Sequence, residues 1–306
     1  MAAAVPEPSR VIACGRFRRM DRDADGPPLP VSRGRAVAVG MVLVAAVSPQ
    51  IGAAFAVTLF GELGPAGAAF LRLAFAAIIL WAIWRPRLTG DLRLAGAFGV
   101  ALGLMNWSFY EAIDRIPLGI AVTIEFSGPL LVAVIGSRRP LDVLWIALAA
   151  AGIVVLVNPG GGSLDPVGVA FALVAAVCWM GYIYLSKRTG AAFAGGSGLA
   201  IAMAVGALIV LPAGVLQAGG ALAEPALLGS ALVVAILSSV LPYSLELEAL
   251  RRLPASIFGV LMSLDPAVAA VVGFVVLGQA LGPRELVGVA MVVVASAGAA
   301  SLGHRG

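Results

Sequence analysis

The chain of 306 residues is 61% hydrophobic and 12% charged, with a mean hydropathy of +1.03, which excludes an ordinary soluble domain and indicates a polytopic membrane protein. Its net charge of +4 does not indicate a nucleic-acid partner, because the basic residues fall in short clusters between apolar runs rather than on one face. Two cysteines, Cys14 and Cys178, and one histidine, His304, leave no disulfide framework, zinc site, Ser-His-Asp triad or Cys-His nucleophile. No metal, cofactor or enzymatic activity is expected.

In chain order, residues 1–35 are rich in Arg, Asp and Pro (FRRMDRDADGPPLP) and are expected to form a disordered cytoplasmic extension. Charge, Pro and Gly then divide the chain into ten apolar runs long enough to cross a bilayer. These are 36–60, 64–84, 92–113, 117–136, 140–157, 165–186, 196–217, 227–247, 254–277 and 283–302. The first run has the basic flank and small residues of a signal sequence, but Ser48-Pro49-Gln50 in its middle fits a retained helix better.

With the N-terminus inside the cell, seventeen of the twenty Lys and Arg residues fall on the cytoplasmic side. Arg115 and Arg284 lie outside and Arg72 within the membrane. The asymmetry predicts that both termini are cytoplasmic.

The chain also repeats itself. EAIDRIPLGIAVTIEFSGP from Glu111 matches EALRRLPASIFGVLMSLDP from Glu248 at a shift of 137, pairing Glu111 with Glu248, Pro117 with Pro254 and Pro129 with Pro266. Five helices per half is an odd number, so the halves must enter the membrane in opposite directions. The expected fold is therefore an all-α polytopic membrane protein of ten transmembrane helices, built as two inverted five-helix repeats over 36–157 and 165–302. Pro129 and Pro266 each interrupt a helix and free carbonyls that can line a cavity. Inverted repeats are the architecture of many secondary transporters, with the substrate near mid-membrane. Duplication also builds scaffolds, so a non-transporting membrane scaffold is the alternative from another class.

Together with this repeat, SPQIGAAFAVTLF, FLRLAFAAIIL around Arg72, and AIDRIPLGIAVTIEFSGPLLVA resemble the EamA-type branch of the drug/metabolite transporter superfamily. More narrowly they resemble bacterial threonine/homoserine exporters, over roughly residues 36–302. The resemblance implies export of small amino acids or related metabolites. The chain contains no GxxxxGK[ST] motif, so transport is expected to be secondary, driven by protons. Efflux of drug-like or other metabolite substrates is the alternative within transport. Two positions depart from the family pattern: SLEP is SLDP here, with Asp265, and LGE is LGQ, with Gln279.

Charges inside hydrocarbon cost roughly 2.5 to 3.5 kcal/mol on insertion scales, so each calls for a role. Arg72 lies eight residues past Gly64, and Glu125 eight past Pro117. At about 1.5 Å per residue both sit roughly 12 Å below the outer boundary. Ala68, Ala69 and Ala76 flank Arg72, and Ala121, Val122 and Gly128 flank Glu125, so both charges should face the bundle interior. Gln50, Asn106 and Tyr110 fall at similar depth, and Tyr243 aligns with Asn106 in the repeat. The candidate substrate-binding set is thus Arg72, Glu125, Asn106, Gln50, Tyr110 and Tyr243. Arg72 suits a carboxylate and Glu125 an ammonium group, while Glu125 and Asp265 are candidates to exchange protons for substrate.

The alternative is that Arg72 and Glu125 pair and lock their two helices together. Glu246 and Glu248, near Arg251 and Arg252, read as a solvated charge cluster. Trp81, Trp84, Trp145 and Tyr184 read as interfacial anchors, and Trp107 and Trp179 as packing. The expected partners are a small-molecule substrate, protons and the lipid bilayer, with a homodimer open and no nucleic acid.

Overall fold

The computed structural model describes residues 31–135, 140–157, 164–250, 252–253 and 255–302. Residues 1–30 of the extension expected over 1–35, and Arg138, Arg139, Arg251 and Pro254, lie outside the described residues, whereas Val31 to Arg35 are helical and not part of a disordered extension. Every described element is helical: α1 (Val31–Val57), α2 (Phe60–Trp84), α3 (Leu92–Arg115), α4 (Leu118–Glu125), α5 (Ser127–Ile135), α6 (Pro140–Val157), α7 (Pro166–Ala192), α8 (Ser197–Ala218), α9 (Pro225–Ala235), α10 (Leu241–Leu250), α11 (Ala255–Met262), α12 (Asp265–Leu277) and α13 (Pro283–Leu302). A 3₁₀ turn (Gly219–Ala223) follows α8, and a π-helical turn (Ile236–Val240) joins α9 to α10.

Each of the ten expected runs is helical, and three are interrupted. The run at 117–136 breaks at Phe126, between α4 and α5, and the run at 254–277 breaks at Ser263 and Leu264, between α11 and α12. In both, Pro129 and Pro266 sit in the first turn of the resumed helix, where a missing N–H costs nothing. The third interruption is the π-turn. α1 begins at Val31, five residues ahead of the expected boundary, while its apolar stretch long enough to cross a membrane begins at Ala36.

Helix boundaries recur at the repeat shift. α2 begins at Phe60 and α8 at Ser197; α4 spans Leu118–Glu125 and α11 spans Ala255–Met262. The matched helices α2 and α8 pack side by side and antiparallel. At one end the Trp84 ring abuts Gly195 and Gly196, and at the other Ala66 meets Gln217. Gly67, Gly103, Gly206 and Gly214 leave no room for a side chain between neighbouring helices, which is how small residues let helical backbones approach.

Seven described helical segments are long and apolar enough to cross a membrane, and two shorter apolar helices cover Leu118–Val132 and Val143–Leu156. Large apolar side chains such as Val177, Leu208, Leu216, Phe274 and Val275 face outward, an outer surface of the kind that lipid rather than water covers.

Candidate functional site

Seven helical segments converge on a cavity of about 140 Å³. α1 contributes Gln50, α2 Arg72, α3 Asn106, α4 Glu125, α7 Trp179 and Tyr182, the π-turn and α10 Ser238, Tyr243 and Glu246, and α12 Asp265. Of the expected set, Arg72, Glu125, Asn106, Gln50, Tyr243 and Asp265 all line this one space.

Arg72 is held on the π-turn. Its Nε donates to Ser239 Oγ (3.1 Å), its Nη2 to the Ser238 carbonyl (2.7 Å) and its Nη1 more distantly to Tyr110 Oη (3.4 Å). The guanidinium also sits 5.4 Å from the centre of the Tyr110 ring, within cation–π range. Pro242 explains why the turn needs such help, since it has no N–H to give to the preceding carbonyls. The deficit is made good by side chains: Ser48 Oγ donates to Leu237 O (2.6 Å) and Arg72 to Ser238 O. A guanidinium has five N–H donors, so two of those on Arg72, which lines the cavity, have no bond within the described residues.

Among the described residues no ion pair joins Arg72 to Glu125, as the alternative reading of a lock between α2 and α4 would require. Arg72 instead ties α2 to the π-turn. Glu125, 7% exposed, is the last residue of α4 and faces the cavity from the helix break. Tyr110 does not line the cavity; it is fully buried behind Arg72, its ring 5.5 Å from that of Phe60. Asn106 donates from Nδ2 to Leu102 O (2.8 Å), which leaves its carbonyl oxygen free to accept. Asp265 opens α12 and is 4% exposed, and its Oδ1 has no partner.

Two further corrections concern residues not expected here. Glu246 lines the cavity instead of joining a solvated cluster; only Glu248 does so, bonded to Arg252 at 2.7 Å. Trp179 lines the cavity too, set edge-on to Phe126 at 5.5 Å. An acidic side chain two residues from another on a helix points some 200° away from it, a signal that would have separated Glu246 from Glu248. Ser238 and Ser239 carried no charge to draw attention, but Pro242 three and four residues on was a sign of a disturbed helix.

Among the described residues the space continues into two neighbouring cavities. A second cavity of about 410 Å³, lined by Phe126, Pro129 and Ser296, shares Trp179, Tyr182, Glu246 and Met262 with the first. A third of about 300 Å³ adds Ser186 and Lys187 and shares Tyr182, Tyr243 and Glu246.

The end of the bundle opposite Lys187 is tied shut by hydrogen bonds between distant parts of the chain. Gln217 accepts from the Ala66 N–H (2.7 Å) and donates to Glu111 Oε1 (3.0 Å). Glu111, buried, also takes Trp107 Nε1 (3.1 Å) and pairs with Arg115 (2.6 Å). Gln279 accepts from the Leu118 N–H (2.9 Å), and Arg284 donates to Val155 O (2.8 Å). Gln279 has a structural use: its amide oxygen caps α4, whose preceding residue, Pro117, offers no side-chain acceptor.

Residues 166–300 match the EamA-like transporter family. Over 264 residues the chain is 46% identical to the threonine/homoserine exporter RhtA of Escherichia coli (strain K12), covering 84% of this chain and 89% of that one. The protein of the same name from Salmonella typhimurium (strain LT2) is 43% identical over the same shares. An uncharacterized transporter of Clostridium kluyveri is 24% identical over 68% of this chain and 70% of its own. A protein crystal structure with 18% identity superposes with a TM-score of 0.60 over 86% of this chain and 96% of that one, a likeness of fold alone.

Proposed function

The chain belongs to the EamA-like transporter family, and from that premise we propose that it exports small amino acids of the threonine/homoserine kind by proton antiport. It is a transport protein rather than an enzyme, and a multi-pass protein of the bacterial cytoplasmic membrane.

The observation that carries the substrate reading is the charge content of the cavity. One guanidinium with open donors, Arg72, shares a small space with three carboxylates, Glu125, Glu246 and Asp265. A zwitterion offers a carboxylate to the first and an ammonium group to the others. A drug-like cation would face Arg72 without a group to satisfy it, and a scaffold would gain nothing from an unfilled polar cavity.

The same content supports proton coupling. With all four groups ionised the cavity carries two more negative charges than positive, and a zwitterion adds none. Buried charge of that size needs compensation, and protons on Glu125 and Asp265 provide it. Binding of the ammonium group to Glu125 then displaces a proton, and release of substrate restores it.

In this reading the ten helical runs are membrane spans in two inverted halves, 36–157 and 165–302, with both termini in the cytoplasm. The antiparallel packing of α2 on α8 and the recurring helix boundaries support it. The Lys187 end, to which the cavities extend, then faces the cytoplasm, and the end tied by Gln217 and Gln279 faces outward, as alternating access requires of a state loading substrate from inside.

The test is uptake of labelled threonine and homoserine into inverted membrane vesicles under an imposed pH gradient. Gradient-dependent accumulation is expected. Accumulation of neither amino acid would overturn the reading.

A further inference from the structure

We infer that the Ser238 hydroxyl is a ligand for the substrate's α-carboxylate, acting beside Arg72; the inference rests on the amino-acid export reading above. Ser238 is 3% exposed, lines the central cavity and has no hydrogen-bond partner for its Oγ. A buried hydroxyl left in that state costs stability, and here nothing in the fold has relieved the cost.

The backbone that carries the hydroxyl is tied to the guanidinium. The carbonyl of the same residue accepts Arg72 Nη2 at 2.7 Å. Room for the hydroxyl is made by α1: a side chain on Gly52 would put its Cβ 2.1 Å from Ser238 Oγ. Any other residue at position 52 would displace the hydroxyl.

The type of group identifies the ligand. Among the described residues lining this cavity, the fully buried side-chain atoms without a partner are the donor Ser238 Oγ and the acceptor Asp265 Oδ1, and Ser238 stands beside the Arg72 guanidinium. Hydroxyl and guanidinium donors side by side suit a carboxylate, whose two oxygens accept several bonds, whereas an ammonium group can only donate. The other buried atoms without partners, on Trp145, Thr189 and Ser296, are not in this cavity.

The full chain carrying Ser238→Ala tests this with two readouts that move in opposite directions. The hydroxyl has no bond within the protein to lose, so the thermal midpoint of the purified variant without substrate should equal or exceed that of wild type. A hydrogen bond to a charged group is lost from the complex, so the KM for threonine in vesicles should rise about ten-fold or more. Threonine, homoserine and alanine should suffer alike, because all three carry the same α-carboxylate. Ser238→Cys, which keeps a weak donor of similar size, should fall between, and it serves if the alanine variant does not fold.

An unchanged KM in a folded variant overturns the inference, and so does a loss confined to the two hydroxylated substrates, which would place the hydroxyl against the substrate side chain. Wild type is measured in parallel. If it transports none of the three, the export reading itself fails and takes this inference with it; a responsive wild type beside an equally responsive Ser238→Ala defeats the inference alone.

Discussion

Replacing Gln279 by Leu should make the central cavity reachable from the end that is closed in this structure. The Gln279 amide oxygen accepts the Leu118 N–H at 2.9 Å, one of the orphan donors at the start of α4. Seven residues further along that helix is Glu125, about 10 Å away at 1.5 Å per residue. The other charge-bearing helix is held in the same way, since Gln217 caps Ala66 at 2.7 Å, just past the break at Gly64 (φ 66°) and Pro65. Loss of an N-cap typically costs about 1 kcal/mol, which is about a five-fold shift in favour of any state in which that cap is already broken.

The assay is labelling of Val122→Cys, a cavity-lining position, in a chain lacking Cys14 and Cys178, with a membrane-impermeant maleimide applied to intact cells. Gln279→Leu should raise the labelling rate about five-fold, and Gln279→Glu, which keeps the acceptor, should not. Gln217→Glu should fail where Gln279→Glu succeeds, because it loses the donor to Glu111 and adds a like charge beside it. A folded Gln279→Leu protein with the wild-type labelling rate would refute the reasoning.

Three other outcomes are expected. Arg72→Lys keeps the charge but can satisfy only one of the two short acceptors on the π-turn; losing a charge-assisted bond should lower unfolding stability in detergent by about 2 kcal/mol, and wild-type stability would show that the turn does not depend on Arg72. Glu125→Gln removes no ion pair, so stability should stay within about 1 kcal/mol of wild type while pH-driven threonine uptake is abolished. Full uptake in that variant would remove Glu125 from the proton path. Gly128→Ala would bring its Cβ to 2.2 Å from the Ala176 carbonyl; overpacking of about 1 to 3 kcal/mol outweighs the roughly 0.5 to 1 kcal/mol an alanine gains in a helix, and the denaturation midpoint should fall.

Much of this was legible because hydrocarbon is an unforgiving solvent. Most of a helix there must be apolar, so clusters of charge mark its ends and the ten apolar runs were readable. Arg72 and Glu125 could be assigned to one level because a charge in such a run has few places to go. What escaped was set by side-chain reach and by backbone chemistry. Asn106 and Tyr110 are four residues apart on α3, but the longer tyrosine passes the cavity and meets Arg72 from behind. The π-turn depends on an N–H that Pro242 lacks, and its repair comes from Ser48 and Arg72, residues 189 and 166 positions away in sequence. No local pattern in the sequence carries that information.

The repeat itself shows where the chemistry has been added. At the shift of 137, Arg72 corresponds to Ile209, Glu125 to Met262, Ser238 to Ala101 and Asp265 to Gly128. The Glu–Arg pairs, by contrast, are kept in both copies, Glu111 with Arg115 and Glu248 with Arg252. Helix breaks are kept as well, since α4 and α11 coincide residue for residue under the shift. The Glu–Arg pairs and the breaks that follow α4 and α11 are thus duplicated, whereas the π-turn and the cavity-lining residues are not. Gly128 shows why one copy could not simply take the other's residue: α5 lies backbone to backbone on α7 there, whereas the equivalent Asp265 faces open space. A symmetric cavity would offer a ligand two equal orientations. This one places its open donors on Arg72 and Ser238 and its acceptors on Glu125, Glu246 and Asp265, so a zwitterion has one favourable way to lie in it.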